Sequence, residues 1–358
     1  LKKGFNFVLM KGRGSHINPP NRFSKENIEY DDWWNEENDD TIAKTQVIEV
    51  EPKTILNKVV SRDLPFEYSA NPYQGCEHGC AYCYARPTHQ YWGYQAGLDF
   101  ESKILVKKNA AQILEKELRR PGHKPLPIAL SGNTDCYQPL ERTYQLTRKM
   151  LEVCLAYRHP VSIITKNSLV LRDLDILTEM SKLQLVHVTV SITGTDEKLR
   201  LKLEPRTSTY KNRFRTLSVL SSNQIPCGVL IAPVIPALND QFIPEILRLA
   251  ADNGAQNAAY QIVRLNDEVQ PVFLNWLDQH FPLRKEKILS MIKSCHGDQL
   301  SDNRPGIRMK GEGLVAESIK RMFEIFYQKY FSSSQKVEMN NSLFTGRRFD
   351  EYVQGKLF

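Results

Sequence analysis

The stretch "NPYQGCEHGCAYCYAR" (71–86) sets Cys76, Cys80 and Cys83 within eight positions, while the other four of the seven cysteines are spread over 160 residues, from Cys136 to Cys295. Chance placement of C-x3-C-x2-C with this cysteine content has an expectation of about 0.003, so the grouping has a cause. Three clustered thiols in a chain with an odd, sparse cysteine count point to metal in a reducing cytoplasm and not to a disulfide framework. Zinc is one reading, with His78 as a fourth ligand. However, His78 lies between the first two thiols, only two residues from each, and no second C-x2-C or H-x3-H pair completes a finger. An iron–sulfur cubane suits the spacing better: three local thiolates leave one iron open, and an open metal position is where a substrate or cofactor binds. Gly75 and Gly79 let so short a loop curl round a cluster. Cys154, Cys227 and Cys295 sit among apolar residues or in turns and read as small buried hydrophobes.

Such a loop needs a scaffold. The chain has 358 residues, 41% of them hydrophobic and 25% charged, enough for a sizeable core in one α/β unit or more. Short β-branched runs at 127–132, 161–166, 186–193, 228–235 and 258–264 alternate with amphipathic stretches at 109–120, 140–157, 171–183, 210–222 and 242–254. With a first strand around 64–72, this predicts six strands in a parallel sheet, barrel-like or doubly wound. Polar residues close the strand-like runs: Ser131 to Asp135, Thr165 and Lys166, Ser191 and Thr193, and Arg264. In a barrel those positions form the functional face.

Around the core, 61–265, the sequence predicts an N-terminal extension (1–60) with little regular structure, a C-terminal helical region (266–331) and a tail (332–358). "SDNRPGIRMKGEG" (301–313) reads as a turn-rich basic connector, and "DDWWNEENDD" (31–40) as an acidic loop that packs or docks through its tryptophans. The opening residues lack a small-residue cleavage site and read as mature sequence. No run of 18 apolar residues suggests a membrane span. Net charge is +7, with residues 1–60 at −1 (9 basic against 10 acidic) and the remainder at about +8. This permits a nucleic-acid partner without naming one.

C-x3-C-x2-C with an aromatic (Tyr82) before the last cysteine, in a loop after the first of about six βα units, resembles the radical S-adenosylmethionine enzymes. The resemblance covers roughly residues 64–265 and implies a partial (β/α)6 TIM-like barrel. It also implies a 4Fe–4S cluster on Cys76, Cys80 and Cys83, whose open iron binds S-adenosylmethionine. Reductive cleavage then gives a 5′-deoxyadenosyl radical that abstracts hydrogen from substrate, with electrons from a flavodoxin- or ferredoxin-like donor. Together with "TKNSLVLRDLDIL", "SIT…LEPR" and "APVIPALND", the loop is similar to the DNA-repair-photolyase-like branch related to spore photoproduct lyase. That likeness assigns S-adenosylmethionine contacts to Tyr82, Ser131, Lys166 and Ser191, with Asp135 and Arg206 nearby. A lysine at a strand end suits the methionine carboxylate.

One departure stands out. The hydrogen-donating cysteine of the related spore photoproduct lyases falls at Gly132 here, and the nearby thiol, Cys136, comes only after Asp135. Thymine-dimer reversal is therefore not expected. Cys136 and Tyr137 remain the candidate hydrogen donors to a substrate radical, and the substrate is unassigned, nucleic acid being one class. The competing reading is a non-catalytic iron–sulfur or zinc protein that grips nucleic acid through its basic body, with salt-sensitive affinity.

Overall fold

The structure is a computed structural model and describes residues 12–23, 44–61, 63–64, 66–332 and 338–349. The acidic tryptophan segment at 31–40 lies outside them.

Among the described residues, ten strands form two sheets: β1 (Gln46–Val50), β2 (Leu56–Lys58), β3 (Tyr68–Ala70), β4 (Tyr73–Gln74), β5 (Lys103–Lys107), β6 (Ile128–Leu130), β7 (Val161–Thr165), β8 (Val186–Ser191), β9 (Cys227–Val234) and β10 (Asn257–Ile262). The helices are α1 (Leu98–Ser102), α2 (Ala110–Leu118), α3 (Glu141–Tyr144), α4 (Leu146–Ala156), α5 (Leu174–Lys182), α6 (Glu197–Leu203), α7 (Tyr210–Ser222), α8 (Ile243–Asp252), α9 (Val269–His280), α10 (Lys285–Ser294) and α11 (Gly313–Phe331).

The main sheet runs β10-β9-β8-β7-β6-β3-β2. All pairs from β3 to β10 are parallel, and β2 adds to β3 antiparallel. These are the six expected strands. Parallel strands need crossovers, and the helical stretches between them supply these. Both faces are covered, so the strands read as continuous apolar runs: Ile128, Leu130, Val161, Ile163, Val186, Val188, Val229 and Ile231 are almost fully buried in one core. The expected helix at 140–157 is broken. Gln145 takes a left-handed conformation (φ 50°, ψ 35°) between α3 and α4, and the Glu141 carboxylate accepts from Thr147 N (3.1 Å) across the break.

The architecture is a partial TIM-like barrel that does not close. Its last strand is met by the basic connector instead, with Ile262 N donating to Met309 O, and just beyond the strand Leu265 N donates to Leu300 O, both at 2.9 Å. The same connector reaches the opposite edge, where the Asp63 carboxylate accepts from Gly306 N and Arg308 Nε, each at 2.5 Å. Residues 301–313 therefore tie the first and last edges of the barrel together.

The flanking regions hold more structure than the sequence predicts. In the expected extension, β1 pairs parallel with β5, which also pairs with β4, in a three-stranded second sheet. The β1–β5 pairing joins residues more than 50 apart, so local pattern could not show it. The C-terminal helices are not a separate unit. Val269, Phe273, Trp276 and Ile288 share a hydrophobic cluster with Cys80, Ala81 and Tyr82 of the cysteine loop. The described part of the tail also packs back, with Phe344 set edge-on against His123 and His159.

Candidate functional site

The cysteine loop leaves β4 and turns where left-handed backbone is needed, at Gly75 (φ 82°) and Gly79 (φ 67°). Gly14 crosses so close that a Cβ there would lie 1.7 Å from Gly79 O. The loop is clamped from several sides. Fully buried Gln138 accepts from Glu77 N (3.0 Å) and donates to Gly75 O (3.1 Å). Fully buried Arg86 donates to Cys80 O (2.8 Å), to Ala96 O and Gly97 O, and pairs with the buried Glu101 carboxylate. That carboxylate also accepts from Gly14 N (2.9 Å). A loop held this way has its thiols placed before any cofactor binds.

Cys76, Cys80 and Cys83 are free thiols. Burial raises all three pKa values, and at Cys76 the charges of Asp135, Cys80 and Cys83 raise it further. Lys166 acts in the opposite direction on Cys80 and Cys83, and its Nζ lies 5.9 Å from the Tyr82 ring centre. Thiols that are costly to ionise alone are stabilised as thiolates by bound metal. His78 is not free to join them. Its Nδ1 faces Asp135 Oδ2 (3.3 Å) and its Nε2 faces Asn167 Nδ2 (3.3 Å). Among the described residues no three Cys, His, Asp or Glu side chains close on a single ion. A cubane does not require that, because each thiolate binds a different iron. The donor set therefore fits a three-thiolate cluster.

Asp135 organises the floor of the site. Its carboxylate accepts from Thr165 Oγ1 (2.8 Å), Lys166 N (2.8 Å) and Tyr137 N (2.9 Å). Burial alone would raise its pKa, but the His78 interaction and these backbone donors hold it down at about 2. Arg206 bonds Glu77 Oε1 (3.1 Å) and donates its backbone N–H to His78 O (3.2 Å), so it braces the loop. Ser131 holds a left-handed backbone (φ 70°) and accepts from Cys136 N through its Oγ (2.8 Å). Ser191 is buried at the end of β8, where its carbonyl accepts from Arg213 Nη1 (3.0 Å).

Tyr82 is tied down more firmly than the motif suggests. Its hydroxyl donates to buried Glu204, which also accepts from Thr193 Oγ1 (2.9 Å) and pairs with Arg213 Nη2 (2.5 Å). Burial pushes the Glu204 pKa up, but Arg213 and Lys166 outweigh it and keep the carboxylate ionised. The tyrosine side chain thus locks the loop to α6 and α7.

Cys136 and Tyr137 go the other way. Cys136 is 0% exposed within the main hydrophobic core, and the Tyr137 hydroxyl donates to buried Asp173 (3.0 Å). The structure does not bring either side chain to the open face. The aromatic that stands there is Tyr84, 51% exposed, its hydroxyl donating to Gly132 O (2.9 Å). Gln138, Glu204, Arg213, Arg86 and Glu101 were not singled out from sequence. Arg86 closes the cysteine motif and Glu204 lies in "LEPR", so their proximity to motifs was visible, but their partners were not.

A family model of the radical SAM superfamily matches residues 70–250. The chain belongs to this superfamily. It is a radical SAM enzyme, and its cofactors are a 4Fe–4S cluster and S-adenosylmethionine. An uncharacterized protein of Mycobacterium tuberculosis is 36% identical over 237 residues, 65% of this chain and 70% of the relative. One of Methanocaldococcus jannaschii is 28% identical over 241 residues, 67% of this chain and 85% of the relative. Among solved structures, spore photoproduct lyase complexed with dinucleoside spore photoproduct superposes with a TM-score of 0.59 at 17% identity, covering 80% of this chain and 79% of that one. The last match is a likeness of fold. Enzyme membership sets aside the non-catalytic binding protein considered from sequence, and among the described residues no helix is long and apolar enough to cross a membrane.

Proposed function

We propose that Cys76, Cys80 and Cys83 hold the cluster, that Lys166 receives the carboxylate of S-adenosylmethionine, and that substrate enters at the open face beside Tyr84. The superfamily's bound cofactors supply the chemistry, an electron that splits S-adenosylmethionine into methionine and a 5′-deoxyadenosyl radical. The observation that carries this reading is the convergence of three unbridged thiols, none with a competing histidine ligand, next to a strand-end lysine. Tyr82 and Arg206 position the loop, Asp135 fixes the Lys166 backbone, and Ser131 and Ser191 offer hydroxyls at the ends of β6 and β8. Cys136 and Tyr137, sealed in the core, take no part in hydrogen transfer. The superfamily needs a reductant, and a flavodoxin- or ferredoxin-like donor suits it. The substrate reading, a molecule with nucleic-acid character, is supported by the basic body and the open face.

Anaerobic reconstitution with iron and sulfide, dithionite reduction and assay of 5′-deoxyadenosine test this. Production in the native chain and loss in Cys83→Ala are expected. An intact four-iron cluster that neither binds nor cleaves S-adenosylmethionine overturns the reading.

A further inference from the structure

Arg264 follows the end of β10, on the same open face as the cysteine loop. Its neighbours Val263 and Leu265 are buried in the cluster under α9, and alternation along the extended chain turns Arg264 the other way. It is half-buried, yet among the described residues it makes no hydrogen bond or ion pair. The two acids that act on it, Asp63 and Asp302, are already engaged. Asp63 is bonded to Arg308 and Gly306 N, and Asp302 accepts from Arg304 through Nη2 (2.6 Å), Nε (3.0 Å) and N (2.7 Å). Arg308 adds a second positive charge beside it, and burial and that charge together lower the Arg264 pKa. Across the face stands Tyr84, within electrostatic range of both Arg264 and Cys83.

A guanidinium has five donors in a planar fork that matches the oxygens of a carboxylate or phosphate, and a half-buried one without a protein acceptor can offer that fork to a ligand. Among the described residues, Arg86, Arg206, Arg213, Arg304 and Arg308 each pair with a carboxylate. Arg264, among the described residues, has no such partner.

We propose that Arg264 binds an oxyanion of the substrate, a phosphate or a carboxylate, and so orients the substrate over the cluster loop. This rests on the open face being the substrate entrance. It narrows the substrate to an anionic molecule whose charged group lies on the β10 side, opposite the β6 side where Tyr84 is anchored to Gly132.

Arginine-selective labelling with phenylglyoxal on the reconstituted native protein tests the assignment without turnover, with exposed Arg215 on α7 as the internal reference. The probes are thymidylyl-thymidine, its uncharged methylphosphonate analogue and succinate. Slower labelling of Arg264, but not Arg215, with thymidylyl-thymidine supports a phosphate; with succinate, a carboxylate. No protection by either anion, or equal protection by the uncharged analogue, overturns the proposal. Arg264→Met should weaken binding of the protecting anion by at least about tenfold, the usual weight of a charge-assisted bond, while unchanged affinity counts against it. Cleavage of S-adenosylmethionine by the native protein is measured separately. Failure there counts against the cofactor reading, and failure of protection counts against Arg264 alone.

Discussion

Two neighbouring loops carry cysteines at the same end of this barrel, and they do opposite things with them. Residues 76–83 present three thiols beside Lys166 on a loop clamped by Gln138, Arg86 and Glu204. Residues 131–137 bend back on themselves: Ser131 accepts from Cys136 N, Thr147 Oγ1 donates to Cys136 O (2.6 Å), and the thiol goes into the core. Residue type and nearness in sequence to a strand end do not by themselves say which way a side chain faces. What decides is where the loop's own hydrogen bonds aim the side chain. The first loop spends its bonds on holding a concave backbone, while the second uses them to turn its cysteine inward and its aspartate toward the site.

Substituting a thiol in each loop gives the widest contrast. Cys80→Ala should abolish cluster assembly and lower S-adenosylmethionine cleavage by more than about 100-fold, whereas Cys136→Ala should keep cleavage within about threefold. Iron content and 5′-deoxyadenosine yield measure both, and a large loss in Cys136→Ala would restore the buried thiol as a participant.

The clamp itself is next. Glu204→Gln leaves Arg213 buried without a counter-charge, which costs about 3–5 kcal/mol, and it loosens Tyr82. Urea unfolding should show the loss, and cluster loading should fall with it. A stable variant with full loading would mean the buried pair does not hold the loop.

The second loop's contribution to the site is acid-sensitive. Asp135 titrates at about 2, below the ordinary 3.8. A depressed carboxylate adds stability above its unfolded value and loses it as pH falls through the folded one. Asp135 should therefore contribute about 2 kcal/mol above pH ~4, lost between about pH 4 and 2. The urea midpoint of the native chain should drop through this window relative to Asp135→Asn, and parallel curves would contradict the assignment. The smallest effect is the packing one: Cys136→Ala should destabilise by about 1 kcal/mol, the loss of a small buried group from a packed core.

Much of the fold was readable because its signals are local. Five of the six parallel strands begin and end within two residues of their β-branched runs, the first is shorter than the stretch expected around 64–72, and the helices follow their apolar period, since burial of a strand face or helix stripe imprints directly on sequence. The broken helix at Gln145 was not readable, because a left-handed residue other than glycine or asparagine leaves no mark. Nor was the pairing of β1 with β5, which depends on contacts distant in sequence.

The site divides along the same line. Sequence alone determined the three-thiol loop, its glycines and the lysine at the end of β7, because cluster ligation requires particular residue types at a fixed spacing. Only tertiary structure decided that His78 is held by Asp135 and Asn167, that Tyr82 is locked to Glu204, that Cys136 faces the core and that Arg264 finds no acceptor among the described residues. Each of these depends on which groups meet across the barrel, and a buried polar atom's partner is set by three-dimensional packing, not by its neighbours in the chain.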